Sequence, residues 1–471
     1  MQYDAIIIGA GMSGLAAAIR LGLYGKRVVV LEKHELWGGL NSFYTKDGHA
    51  FDVGLHALTN FVPARTRGAA LTKVLRQLRI KHEELHLGEH EHSELRVPGV
   101  TLKFSNDFEL LQSEVARAFP GEADGFARLA RLIQEHTLDE EARVEVSGRG
   151  VLEEHLKEPL LVNALLVPLL YYGSAREDDV DFSQLVVLFR SIFLEGLSRP
   201  EGGIRPFLNT LIKRVKAAGV EVRLKSGVQR IVVENEVVRG VVLEDGSELE
   251  SENVLSSAGY VPTMGLCGSA IQKERVGAKD HGKLSFMESI SVLDCHPKEL
   301  GHSAATVFYS TREDFRYRSP KTLIDDGSGV ISAPSNFKSE KGVKEHLLRV
   351  TVLANYAAWK ALTPAQYEQE KLRQSDAAIA GAASITADWR AHSTYQDIFT
   401  PTTIERFTGH PGGCVYGSPI KRPGGETGIR GLNLMGTDQG YLGVVGAMMS
   451  GIAMANRHVL APQAASSGAS L

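Results

Sequence analysis

The chain of 471 residues is 43% hydrophobic and 23% charged, which places it among ordinary globular proteins long enough for two or three domain-sized units. A formal net charge of -4 leaves no basic footprint, so nucleic acid is excluded as a partner. The three cysteines, Cys267, Cys295 and Cys414, form no CxxC pair, which argues against an iron–sulfur cluster, a Cys-rich zinc site or a disulfide framework and fits a reducing, cytoplasmic setting. No metal site is expected.

In chain order, the apolar run 4–8 ends in glycines and reads as a buried parallel strand, starting too early to leave room for a signal peptide. Residues 12–24 carry apolar side chains at helical spacing, and 28–31 (VVVL) reads as a second strand, completing one βαβ unit. Residues 40–60 have little periodicity. From about 68 to 200 the texture is helical, as in 108–117 and 124–136. A helix is predicted over 204–217, and strands over 220–224, 229–234, 237–243 and 247–254, with hairpin chemistry in Glu244-Asp245-Gly246-Ser247. Strands of a second sheet are predicted at 285–294 and 348–355, with helices near 364–390. Residues 461–471 read as a frayed tail. No apolar run reaches the roughly 18 residues that a membrane span needs, which leaves peripheral attachment to a membrane surface open.

Gly9-Ala10-Gly11-Met12-Ser13-Gly14 is a GxGxxG turn between the first strand and the first helix. Gly9 permits the tight turn, Gly11 lets backbone approach a pyrophosphate, and Gly14 lets helix and strand pack closely. The pyrophosphate then meets the helix N-terminus at Met12 and Ser13. Glu32 closes the second strand, where an acidic residue accepts from ribose hydroxyls and repels a 2′-phosphate. Lys33, Gly38, Gly39, Leu40 and Asn41 follow directly. A second glycine-bearing strand-to-helix turn lies within 431–457, and a cofactor touched at both chain ends is long, which favours FAD.

The segment VVVLEKHELWGGLNSFYTKDGHAFDVG resembles the start of the phytoene desaturase, carotenoid isomerase and retinol saturase group, within the amine-oxidase-like flavoprotein superfamily. Gly202-Gly203-Ile204 with GVEVRLKSGVQRI resembles the segment whose Val backbone meets adenine, here Val228. Thr400-Pro401-Thr402-Thr403 with Arg406-Phe407-Thr408-Gly409 resembles the group's pattern ahead of its C-terminal flavin motif, and GLNLMGTDQGYLGVVGAMMSG (431–451) is similar to that motif itself. The resemblance implies that Gly436 and Asp438 sit near the ribityl–pyrophosphate, and that the helix at Gly443, Val444 and Val445 points N–H groups at the flavin. Leu40 stands where an Arg often follows the paired glycines in amine oxidases, which points away from an amine. The Pro-Gly that desaturases and isomerases carry in this motif is absent, with Gly440-Tyr441-Leu442 in that region.

The expected fold is α/β: a glutathione-reductase-like, Rossmann-type FAD-binding domain assembled from 1–70, 200–275 and 400–460, with an interleaved α+β substrate domain from 71–199 and 276–399. The resemblance implies an FAD-dependent oxidoreductase acting on carbon–carbon bonds of a long apolar isoprenoid or polyene, by desaturation, saturation or isomerisation. Its electron partner would be oxygen, a quinone, or a source of reduced flavin or nicotinamide. The alternatives are a flavin amine oxidase and a non-catalytic lipid-binding protein on the same fold. His56 and Arg406 are the candidate catalytic polar groups. Tyr171 and Tyr172 adjoin an apolar stretch, 159–170, that would line a tunnel, dock on lipid or form a buried helix. His82-Glu83-Glu84-Leu85-His86 matches HExxH, but the alternating Glu89-His90-Glu91-His92 beyond it suggests loop or exposed strand, not the helix that zinc chemistry requires. Cys414 reads as a small buried residue.

Overall fold

The structure is a computed structural model that describes residues 2–138 and 145–461. The expected tail therefore lies, apart from its first residue, outside the described residues.

A five-stranded parallel sheet draws its strands from the start, middle and end of the chain. Their spatial order is Glu221–Arg223, Val28–Leu31, Ala5–Ile8, Val254–Ser256, Leu432–Leu434. All four residues of Ala5–Ile8 and of Val28–Leu31 are buried, as strands covered on both faces must be. One face carries the helices Met12–Gly22, Ile204–Ala217 and Gly443–Ala455. The other carries an antiparallel sheet of Val228–Glu234, Val237–Leu243 and Glu248–Glu250. The predicted strand 247–254 is thus two strands. Its first half closes the hairpin, and its second crosses to the parallel sheet after Ser251, which bonds back on Asn253.

The order reverses between Ala5–Ile8 and Val254–Ser256, because successive connections wind outward in opposite directions from the central strand. That leaves a crevice beyond the carboxyl ends of the strands.

A second, seven-stranded sheet runs Ser393–Phe399, Ser285–Leu293, His346–Ala354, Ser328–Ser332, Thr306–Ser310, Ser93–Val97, Val100–Phe104. It is antiparallel except where Thr306–Ser310 meets Ser93–Val97. Helix Pro364–Ala383 packs with Trp359 and Trp389 on one face. The other is covered by Pro159–Tyr171 and Phe182–Phe189. Strands at 87–89, 93–97, 100–104 and 197–200 interrupt the helical texture read from 68 to 200. They are short, and apart from the hairpin of 93–97 with 100–104 their pairings are with segments distant in sequence, so period alone does not mark them.

Pro159–Tyr171 is apolar all round except for Asn163, whose amide donates to the Glu313 carbonyl at 2.8 Å, and residues 161–171 are all buried. A helix without a polar face belongs in a core. The stretch is therefore the buried helix among the three readings, and it presents no face to a lipid surface. Among the described residues no helix is long and apolar enough to cross a membrane.

Candidate functional site

One continuous cavity of about 500 Å³ opens at the carboxyl ends of the parallel strands and runs to the face of the second sheet. Ile8 and Gly9, Leu31 and Glu32, Ser257, and Met435 and Gly436 bring four strand ends to its wall.

The inner half is built for a long anionic ligand. Helices Met12–Gly22 and Gly443–Ala455 both begin at this cavity, neither has a side-chain cap, and neither carries an acid in its first turn. Two bare helix ends offer N–H groups and positive dipoles to phosphate or to a polar heterocycle edge. Gly11 lines the cavity, and a Cβ there would make only ordinary contact with protein, 3.9 Å from the Gly39 Cα, so the room its missing side chain leaves is open to the ligand. Glu32 is 6% exposed; its carboxylate accepts from the Ala10 N–H at 2.9 Å and the His34 N–H at 3.0 Å, which fixes it at the wall.

Met12, Ser13, Lys33, Gly38, Gly39, Leu40, Asn41, Val228, Gly443 and Val444 also line the cavity. Gly14 does not. A Cβ on it would lie 2.0 Å from the Gly9 carbonyl oxygen, so its part is close packing of helix on turn. Val445 is also elsewhere, fully buried in the helical layer. Asp438 lines the cavity, but its oxygens accept from the Tyr260 N–H at 2.6 Å and the Ser418 N–H at 2.8 Å. It braces two wall segments.

The outer half is mainly aromatic and aliphatic, with Tyr172, Leu188, Phe286, Val330, Phe399 and Tyr416 on its walls. His56 joins the two halves. Its Nε2 lies 3.2 Å from Thr351 Oγ1, and its backbone carbonyl accepts from Arg199 at 3.3 Å. Burial, then the positive charges of Arg349 and Arg199, hold its pKa well below the ordinary value, so the ring is neutral. Proton uptake by His56 therefore accompanies unfolding. This group's stability contribution is full above the unfolded-state pKa of about 6.5 and is lost as pH falls toward the folded value. His56→Asn is expected to flatten the fall in melting temperature between about pH 6.5 and 5; an unchanged acid limb would contradict a neutral buried ring.

Arg406 is not at the cavity. It is exposed, with its guanidinium 5.6 Å from the Phe407 ring centroid at the surface. The helix Pro401–Thr408 turns Ile404, Phe407 and Thr408 toward the cavity and Arg406 outward. Cys414 is buried as expected, and burial pushes its thiol up to about 11. In the HExxH segment, His82–Leu85 is one 3-10 turn and His86 takes a left-handed backbone (φ 44°). Glu84 is committed to Arg214 at 2.7 Å, and neither histidine belongs to a metal-ligating cluster among the described residues.

Several site residues escaped sequence reasoning. Arg199 pairs with Asp52, and its Nη1 donates to the Leu55 carbonyl at 2.7 Å. Arg349 pairs with Glu288, and its Nη1 donates to the same carbonyl at 3.0 Å. Two buried ion pairs thus clamp the backbone next to His56, and Glu288 itself lines the cavity. The signal was present: SFMESISVL and HLLRVTVLA each place one charge in the middle of an apolar strand, where an unpaired charge is prohibitive.

The profile of the family "Flavin containing amine oxidoreductase" matches residues 12–457. A chloroplastic prolycopene isomerase of Daucus carota is 22% identical, over 97% of this chain and 80% of that protein. A neurosporene-forming phytoene desaturase of Rhodobacter capsulatus is 28% identical, over 54% of this chain and 52% of its own. Among solved structures, an oxidoreductase from Methanosarcina mazei superposes with a TM-score of 0.67 at 17% identity, covering 95% of this chain and 98% of that one. The bare helix ends, the open Gly11 wall and the fixed Glu32 carboxylate fit the FAD that this family carries. With both chain ends committed to that one cradle, the protein belongs to the flavin-containing amine oxidoreductase family.

Proposed function

We propose that this FAD-dependent oxidoreductase acts on carbon–carbon bonds of a long apolar isoprenoid or polyene. The observation that carries the reading is the continuity of the cavity: an apolar, aromatic chamber opens directly from the dinucleotide cradle. Similarity to a prolycopene isomerase over nearly the whole chain supports it. Bound FAD supplies hydride acceptance or donation at the flavin ring.

The chain's own residues do the rest. Tyr172, Phe286 and Tyr416 provide flat apolar surface that holds a polyene and displaces water. Tyr416 donates to the Tyr171 carbonyl, so its hydroxyl is turned to a protein partner and its ring face serves the ligand. His56, neutral and held by Thr351, is the group at the junction able to hold or pass a proton. Oxygen or a quinone would accept electrons from a desaturating enzyme, and a reductant would support saturation or isomerisation.

Product analysis tests the assignment. Incubation with linear carotenoids in liposomes is expected to change double-bond number or geometry, whereas mono- and polyamines are expected to release no peroxide. Amine-dependent peroxide with untouched carotenoid would replace this reading by an amine oxidase. At the cradle, Glu32→Gln is expected to weaken FAD binding by about 10- to 100-fold, the range for a charge-assisted hydrogen bond. Flavin fluorescence titration measures it, and unchanged affinity would remove Glu32 from the ribose site.

A further inference from the structure

We propose that Asp294, Cys295 and His392 form a divalent-metal site, taking a borderline-soft ion such as Zn²⁺. Asp294 and Cys295 directly follow the strand Ser285–Leu293, and His392 directly precedes its antiparallel neighbour Ser393–Phe399. Leu293 faces Ser393 across a register shift at the end of that pairing, and the Asp294 N–H donates to the His392 carbonyl at 3.1 Å. The backbone alone therefore sets the three side chains together.

The donor atoms converge. His392 Nδ1 lies 3.0 Å from Asp294 Oδ1 and 3.8 Å from Cys295 Sγ, and one donor atom from each residue falls within 4.8 Å of the others. A tetrahedral zinc ion with its usual bond lengths separates nitrogen from oxygen by about 3.3 Å and nitrogen from sulfur by about 3.5 Å. The same histidine nitrogen faces both neighbours. A nucleophile–base–acid relay needs the two ring nitrogens to point at different partners, so the cluster is not a catalytic triad. Binding a metal would release the Cys295 thiol proton, and the resulting carboxylate, thiolate and neutral imidazole sum to -2, the charge a divalent cation balances; O, N and S donors are the set zinc accepts.

With His392 and Asp294 side chains 42% and 53% exposed, solvent reaches the cluster and a water can complete the coordination. None of the three residues lines the FAD cavity. Glu288, which does, lies on the strand Ser285–Leu293 six positions before Asp294, roughly 20 Å away along an extended chain. The ion would act as a clip across the register-shifted end of the edge strand, remote from the flavin chemistry.

The test uses tag-free, FAD-loaded protein stripped with EDTA and titrated with Co²⁺. The expected result is a tetrahedral cobalt band beyond about 600 nm, clear of oxidised flavin, that saturates at about one ion per chain and is displaced by Zn²⁺. Cys295→Ser and His392→Gln are each expected to weaken binding by about tenfold or more, with unchanged flavin spectra. At the same concentration Zn²⁺ should raise the melting temperature of the natural protein more than that of either variant. Absence of a saturable cobalt band, or equal zinc retention by Cys295→Ser, would overturn the site.

Discussion

Gly451→Val is expected to abolish stable FAD retention and to lower the melting temperature, although residue 451 touches no ligand. Helices Met12–Gly22 and Gly443–Ala455 cross where a Cβ on Gly451 would lie 2.0 Å from the Ser13 carbonyl oxygen and 3.1 Å from the Ala17 nitrogen. Those neighbours are backbone, so relief requires the helices to separate. Overpacking of this kind costs about 1–3 kcal/mol or more. Here the same movement pulls apart the two helix N-termini that frame one cofactor, so flavin affinity should fall with stability. Gly121→Ala serves as the control, because a Cβ there meets nothing within 4 Å. Flavin content after gel filtration and thermal unfolding measure both effects. A Gly451→Val variant that retains FAD and melts normally would show that the two ends of the chain are not coupled through this crossing.

Arg349→Met is expected to destabilise the protein by about 3–5 kcal/mol, because it strands the Glu288 carboxylate in the core. Arg349 is 1% exposed and Glu288 is 5% exposed. Burial is the largest influence and opposes the guanidinium's charge, but Glu288, together with Asp52 and Tyr44, outweighs it and raises the Arg349 pKa. The residues occupy diagonal positions on paired strands, since Glu288 faces Thr351 and Ile290 faces Arg349. Glu288→Leu combined with Arg349→Met should recover much of the loss, because no unpaired charge remains. Denaturant unfolding of the single and double variants gives the coupling. The single variant should also release the Leu55 carbonyl that Arg349 holds, loosening the loop that carries His56. Additive losses in the double variant would show that the pair is not the source of the effect.

How far the sequence could be read follows from the range of the forces involved. The strand–turn–helix at the N-terminus was legible because its determinants are local: a buried apolar run, glycines at fixed offsets and an acid at the end of the next strand. Helix 204–217 and strand 237–243 agree with the structure to the residue, since period and flanking turns define them. The 247–254 segment failed because a continuous β-type run does not reveal that two different sheets share it. Arg406 failed for a geometric reason, as membership in a motif does not say which face of a short helix meets the cavity.

The ion pairs beside His56 were out of reach by pairing alone. Asp52 and Arg199 are separated by 147 positions, and Glu288 and Arg349 by 61, so only the fold reveals the partners. The metal-ligating cluster is hidden in the same way, with Cys295 and His392 97 positions apart. Pro159–Tyr171 was ambiguous because apolar composition suits core and membrane equally; the sheet packed against it decides.

Anaerobic titration of the oxidised, FAD-bound protein with a linear carotenoid in liposomes tests the central claim most directly. Continuity of cradle and apolar chamber predicts that the polyene perturbs or bleaches the flavin absorbance in a saturable way, and that amines of matched concentration do not. A flavin spectrum indifferent to every polyene, before and after dithionite reduction, and bleached by an amine would contradict it.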